Sequence, residues 1–217
     1  MTEREENRLF YMFVADEDSH RTDLKNPFLQ DGSVIATDSH ILIKIRKELL
    51  KGSYEEKKAP DVSRVWPKTF NPVATLTRKE IVKTLKKLHL DNGYDELPLW
   101  ITCKECYGVG TVTWNYRDKK GKNHTNECDC PMCDGSGQAL NGTDCALGIY
   151  NEWFVACYII AILETMNIFK VEFIIYAPSD GVTAAQFRVC DGVDIIVMPQ
   201  QYMKPNAWIV QKGKRRR

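Results

Sequence analysis

Two segments of the chain share the pattern Cys-x-x-Cys-x-Gly-x-Gly: Cys103-Lys-Glu-Cys106-Tyr-Gly108-Val-Gly110 and Cys130-Pro-Met-Cys133-Asp-Gly135-Ser-Gly137. Zinc takes four tetrahedral ligands and prefers thiolate sulfur, and a Cys-x-x-Cys turn sets two sulfurs on one side of a tight loop. The doubled pattern therefore predicts one site in which Cys103, Cys106, Cys130 and Cys133 hold a single Zn2+. The glycines fit the same chemistry. A backbone that wraps a metal must aim amides at sulfur and adopt positive φ, which glycine does without steric cost. Four thiolates close the shell and leave no place for a reacting water, so the predicted zinc is structural.

Two other readings of these cysteines are a disulfide-bonded hairpin and a redox Cys-x-x-Cys. Neither accounts for the doubled glycines, and the βαβ context of a thioredoxin-like site is absent. Cys128, two residues before Cys130, is a competing ligand; the turn geometry of Cys-x-x-Cys favours Cys130. His124 reads as a polar tip residue, and Cys145, Cys157 and Cys190 lie in or beside apolar segments, where cysteine behaves as a small hydrophobe. The chain has no phosphate-binding Gly-x-x-x-x-Gly-Lys-Ser/Thr loop, no His-Glu-x-x-His and no Gly-x-Ser-x-Gly. Asp38 and His40 suit a turn better than acid/base work. The expectation is a protein that is not an enzyme.

The elements that must position the cysteines follow from the rest of the chain. Its 217 residues are enough to bury a core without metal or disulfides, which makes the zinc a local device. Thirty basic against 29 acidic residues excludes a protein that coats nucleic acid by bulk attraction. The acidic N-terminus lacks the pattern of a signal peptide, and the longest apolar run, Trp153 to Leu163, is too short to cross a bilayer. A cytoplasmic location without a membrane span is predicted.

Residues 8–15 are apolar and aromatic and fit either a helix end or a strand. Asp31-Gly32 between β-rich runs predicts a hairpin, and the proline-bearing stretch 47–71 a connector. Thr77-Arg-Lys-Glu80 is a capping box flanked by Leu76 and Ile81, so a helix starts there and runs to about Leu90, stopping at Asn92-Gly93. One of its faces gathers Lys79, Lys83, Lys86 and Lys87. Such a stripe is either a solvated face or a surface for phosphates. Residues 97–102 read as a strand, 111–124 as a hairpin with a basic tip at Lys119, Lys120 and Lys122, and about 152–166 as a buried helix. Strands at 170–176, 184–190 and 193–198 follow, and the chain ends in a basic tail containing Lys214, Arg215 and Arg216. No repeat beyond the doubled cysteine motif is evident.

Over residues 103–137 the cysteine pattern resembles the cysteine-rich domain of DnaJ-type chaperones, in which four copies hold two zinc ions and help bind proteins. The His-Pro-Asp signature of that family's helical domain is missing here. The remainder is similar to a domain of the bacterial DNA polymerase sliding clamp. Asp31-Gly-Ser-Val-Ile-Ala36-Thr37-Asp38-Ser39-His40-Ile41-Leu42 resembles that family's Ala-Thr-Asp-Gly-His segment, with Ser39 in place of glycine. Ile149-Tyr-Asn151-Glu-Trp153-Phe154 resembles a Phe-Asn-x-x-Tyr-Leu helix start, and Phe187 to Pro199 a strand that closes on Met198-Pro199.

The resemblance implies an α+β, sliding-clamp-like domain, 1–102 with 138–217, of helices packed on antiparallel sheet, interrupted by a zinc-binding β-hairpin at 103–137. It implies DNA or a replication or DNA-maintenance protein as partner, met by the lysines named above, by the hairpin tip and by the tail. A closed clamp ring needs six such domains, so encircling DNA would require a homo-oligomer. The competing expectation is a chaperone-like, protein-binding module without a nucleic-acid role.

Overall fold

The computed structural model describes residues 1–15, 20–56, 60–88, 100–103, 105–130, 135, 137–140, 145–180, 184–201 and 205–211. It divides into two compact units, Met1–Leu90 with Gly142–Arg217, and Asp91–Asn141.

The larger unit opens with helix α1, Glu3–Tyr11, so the apolar run at residues 8–15 is a helix end rather than a strand. Its start is a capping box in which the Thr2 hydroxyl accepts from the Glu5 amide while the Glu5 carboxylate takes the Thr2 amide. Strands β1, Phe28–Gln30, and β2, Ser33–Thr37, form the hairpin at Asp31-Gly32, and β3, Ile41–Arg46, follows. The connector at 47–71 holds only short 3-10 turns among its described residues. After it come β4, Ala74–Thr77, and α2, Arg78–Leu85, whose capping box pairs Thr77 with Glu80. Its α-helical span ends at Leu85, earlier than expected, and Lys86–Leu88 tighten into a 3-10 turn; the expected stop at Asn92-Gly93 lies outside the described residues.

The smaller unit contains β5, Trp100–Thr102, β6, Thr111–Arg117, β7, Asn123–Asp129, and β8, Gln138–Leu140. β5 pairs with β8 and β6 with β7, both antiparallel. The chain then re-enters the larger unit through β9, Ala146–Tyr150, and β10, Glu152–Val155. The helix expected from about residue 152 begins later: α3 spans Ala156–Phe169. Trp153, Phe154 and Val155 fit a pleated surface, and a turn with Tyr150 at φ 55° folds them back on β9. Most of α3 is buried, as its apolar composition predicts, and Lys170 ends it in the left-handed conformation. β11, Phe173–Ala177, β12, Ala185–Cys190, β13, Val193–Val197, and β14, Ala207–Gln211, complete the chain. β14 has no counterpart in the sequence reading; it pairs parallel to β9.

Among the described residues, a seven-stranded sheet runs β1-β2-β3-β13-β12-β11-β4, antiparallel throughout. A repeat invisible in the sequence lies in this order. β3 and β13 pair about Ile43 and Ile195, β2 and β12 flank them, β1 and β11 follow, and a helix precedes each set. Each central strand also closes the other's turn: Met198 N donates to His40 O at 2.8 Å, and Arg46 N to Gly192 O at 2.9 Å. Ile43, Ile45, Ile195 and Val197 are buried, as are Ile160, Ile162 and Met166 of α3, which packs against α1 and α2.

Glu6 is a buried carboxylate on α1 that ties down the connector. It accepts from Lys51 N at 2.5 Å, Gly52 N at 2.9 Å and the Tyr54 hydroxyl at 3.0 Å. Burial opposes its charge, but these donors and nearby Lys47 outweigh it and hold the carboxyl below the usual range. A depressed pKa stabilises the fold above the unfolded value, and that contribution is lost as pH falls through the folded one. Glu6→Ala is expected to cost about 3 kcal/mol near neutral pH by urea unfolding, because three donors lose their acceptor. The deficit relative to the unsubstituted protein should shrink below about pH 4.

Candidate functional site

In the smaller unit the backbone brings three sulfurs together. Cys103, Cys106 and Cys130 are buried, and their Sγ atoms lie within 4.8 Å of one another. Cys103 Sγ and Cys130 Sγ are 3.8 Å apart. A disulfide would need about 2.05 Å, whereas the edge of a tetrahedron with 2.3 Å zinc–sulfur bonds is about 3.8 Å. The donor set and its spacing thus fit a thiolate-bound metal ion of zinc's size. Cys133 lies outside the described residues. Cys128 is not part of this cluster: its thiol is directed at Val112 O at 3.9 Å, and Cys130 lies just past the end of β7, where the chain turns toward the other sulfurs.

The glycines hold the two turns against each other in a reciprocal way. Cys103 N donates to Gly137 O at 2.9 Å and Cys130 N to Gly110 O at 2.7 Å, so the first cysteine of each motif is bound by the last glycine of the other. A Cβ on Gly110 would fall 2.2 Å from Gly135 O, and one on Gly137 would fall 2.4 Å from Gly108 O. Both residues have positive φ, 87° and 72°. The Gly110 amide also donates to Cys106 Sγ at 3.2 Å, which favours a thiolate. The pattern occurs twice because each copy supplies the wall and the acceptor that the other requires.

From these turns β6 and β7 project as a two-stranded ribbon. Asp118 orders its tip by accepting from the amides of Lys120 and Lys122, both at 2.9 Å. His124 Nε2 donates to Asp118 Oδ2 at 2.9 Å and, with those amides, holds the Asp118 carboxyl below its ordinary range. The His124 ring stacks on Tyr116 with centroids 5.0 Å apart. His124 is thus a tip residue rather than a metal ligand, and Lys119, Lys120 and Lys122 are exposed around it.

A second site lies in the larger unit, where Thr37-Asp38-Ser39-His40 turns β2 into β3. Asp38 Oδ1 accepts from the amides of His40 and Ile41 at 2.7 and 2.8 Å, and Ser39 takes φ 87°. This fixes Asp38 as a turn residue, and the geometry shows why glycine suits the position that Ser39 holds. The turn forms one wall of a cavity of about 190 Å³, and Ile196 and Met198, at the end of β13, form another. Leu24, Val62, Val65 and Ala184 supply further apolar lining, while Arg21 and His40 add polar edges. Sequence reasoning missed Leu24, Val62, Val65 and Ala184, because apolar residues from separate segments carry no local signal. The turn and Met198 had one, since both lie in the segments that resemble the clamp family.

None of the other described residues predicted for nucleic-acid binding lines this cavity. Lys79, Lys83, Lys86 and Lys87 are exposed, the first two on α2 and the others in the 3-10 turn. Lys214, Arg215 and Arg216 lie outside the described residues. Cys157 has no role in either site; burial and the nearby Asp38 charge push its thiol up to about 12, which leaves it unreactive near neutral pH. No described helix is long and apolar enough to cross a membrane.

No protein-family model matches the chain, and no curated protein matches it in sequence. Its structural neighbours are bacterial β sliding clamps. It is similar to the C. crescentus β sliding clamp at 12% identity, covering 91% of this chain and 64% of that one, with a TM-score of 0.47. The DNA polymerase III β subunit of Thermotoga maritima matches at 14% identity over 92% and 64%, TM-score 0.48. The Helicobacter pylori β clamp bound to a DNA ligase peptide matches at 14% over 88% and 62%, TM-score 0.46. The chain thus spans less than two thirds of the length of these clamps.

Proposed function

We propose that this chain is a non-enzymatic, clamp-like docking protein of the cytoplasm. Its larger unit takes an apolar segment of a replication or DNA-maintenance protein into the cavity between the β2–β3 turn and the end of β13, and presents the α2 lysines to duplex DNA. Cys103, Cys106, Cys130 and Cys133 hold one Zn2+ that closes the smaller unit and takes no part in a reaction. The observation that carries this reading is a convergence. Two of the three segments on which the clamp resemblance rests, those ending at Leu42 and at Pro199, line one cavity and are joined through Met198 N and His40 O.

At about 190 Å³ the cavity is smaller than the roughly 300 Å³ at which cofactor and drug-sized sites begin. It suits one or two large side chains of an extended peptide, with Arg21 and His40 placed to meet its polar backbone or flanking charges. Val65 and Met198 are 41% and 39% exposed at its edge, so each can be changed without opening the core. Fluorescence anisotropy with labelled pentapeptides carrying leucine and phenylalanine tests the reading. Saturable binding is expected, weakened about tenfold or more by Val65→Glu or Met198→Glu, since either buries an unpaired charge against the peptide. Equal binding of an all-polar pentapeptide, or indifference to both substitutions, would refute it.

A further inference from the structure

The β6–β7 ribbon has two unlike faces. Side chains alternate along each strand, and the register pairs Val112 with Cys128, Trp114 with Asn126 and Tyr116 with His124. This face carries aromatic rings and no carboxylate. Glu127 and Asp129 lie on the opposite face, where Glu127 accepts from the Thr111 hydroxyl at 2.8 Å. Trp114 and Tyr116 are 56% and 57% exposed. Beyond them the tip carries Arg117, Lys119, Lys120 and Lys122 against one acid, Asp118, which is engaged by His124 and the tip amides.

From this we propose that the aromatic face of the ribbon is a binding surface for single-stranded nucleic acid, with Trp114 and Tyr116 stacking on bases and the tip lysines meeting the phosphates. Base–aromatic stacking needs an open ring face and tolerates any base, and a cationic track beside it follows the backbone. Residues two apart on a strand are separated by about 6.8 Å, room for an extended single strand to place successive bases on successive rings. A peptide partner would gain little from a tip of like charge unless it were acidic. The surface stands on its own residues and does not depend on the cavity or on α2.

The test is anisotropy of zinc-loaded full-length protein with labelled oligo(dT) of roughly a dozen nucleotides and a duplex of the same length, from about 50 to 200 mM salt. Trp114→Ala with Tyr116→Ala is expected to weaken oligo(dT) binding by about tenfold or more and to leave the salt slope unchanged. Lys119→Glu with Lys120→Glu is expected to reduce that slope. Trp114→Phe, which keeps a ring, should retain most of the affinity. Lys79→Glu with Lys83→Glu should affect the duplex and spare oligo(dT), so failure of the α2 reading and failure of this one are separable. The proposal is overturned if oligo(dT) does not bind at the lowest salt, if the double alanine variant binds it as well as the unsubstituted protein, or if only the α2 variant loses it.

Discussion

Removing the metal, or replacing Cys103 with serine, is expected to unfold the unit Asp91–Asn141 while the seven-stranded sheet survives. Among the described residues, the buried cluster of this unit consists of Cys103, Cys106 and Cys130 with Val112 packed against it. A cluster of that size offsets little of the entropy of ordering the ribbon, and a metal held by these sulfurs would add the cross-link that burial does not supply. Structural zinc contributes about 10 kcal/mol or more to small domains of this kind. The larger unit has its own core around Ile43, Ile195 and Phe187 and does not share this dependence. Limited proteolysis after chelation should therefore cut within residues 111–129, while the urea transition of the larger unit stays within about 1 kcal/mol of its original value. A ribbon equally resistant with and without chelator would contradict the assignment, as would purified protein that contains no zinc.

Alanine at Gly110 or Gly137 is expected to lower zinc affinity by about two orders of magnitude. Holding a non-glycine residue in the left-handed region costs about 1–2 kcal/mol, and pressing a methyl group into packed atoms costs a further 1–3 kcal/mol or so. The obstructing atom is a backbone carbonyl in each case, at 2.2 and 2.4 Å, so no side chain can swing aside. At about 1.4 kcal/mol for each factor of ten, these costs reach a hundredfold. Gly32 provides the internal control. Its φ is 71°, but a Cβ there meets nothing within 4 Å, so Gly32→Ala should lower stability by about 1–2 kcal/mol and leave zinc affinity alone. Competition with a chromophoric chelator measures the difference between the two kinds of glycine.

How far the sequence disclosed this molecule depended on whether a signal was local. Thr77 and Glu80 read directly as a capping box because both partners lie within one turn of helix. Thr2 and Glu5 form the same device, obscured by the apolar run that follows. The start of α3 was misplaced because Trp153, Phe154 and Val155 are as apolar as the helix they precede, and only their pairing with β9 makes them a strand. β14 was invisible for a similar reason, since its partner lies far back in the chain. The twofold arrangement about Ile43 and Ile195 left no period to detect, because buried strand positions exchange Val, Ile, Leu and Ala freely. The cysteine motifs were legible from spacing, although the reciprocal seating of Gly110 and Gly137 emerged only when the two turns met.

Docking at the β2–β3 turn is tested most directly at Met198, whose side chain forms part of the cavity. With methionine methyl groups labelled for NMR, titration of a binding pentapeptide should shift the Met198 methyl resonance in a saturable way. Met12, at the end of α1, and Met166, buried in α3, should stay in place. A Met198 resonance that does not move while the peptide binds, or one that moves no more than those of Met12 and Met166, would contradict the account.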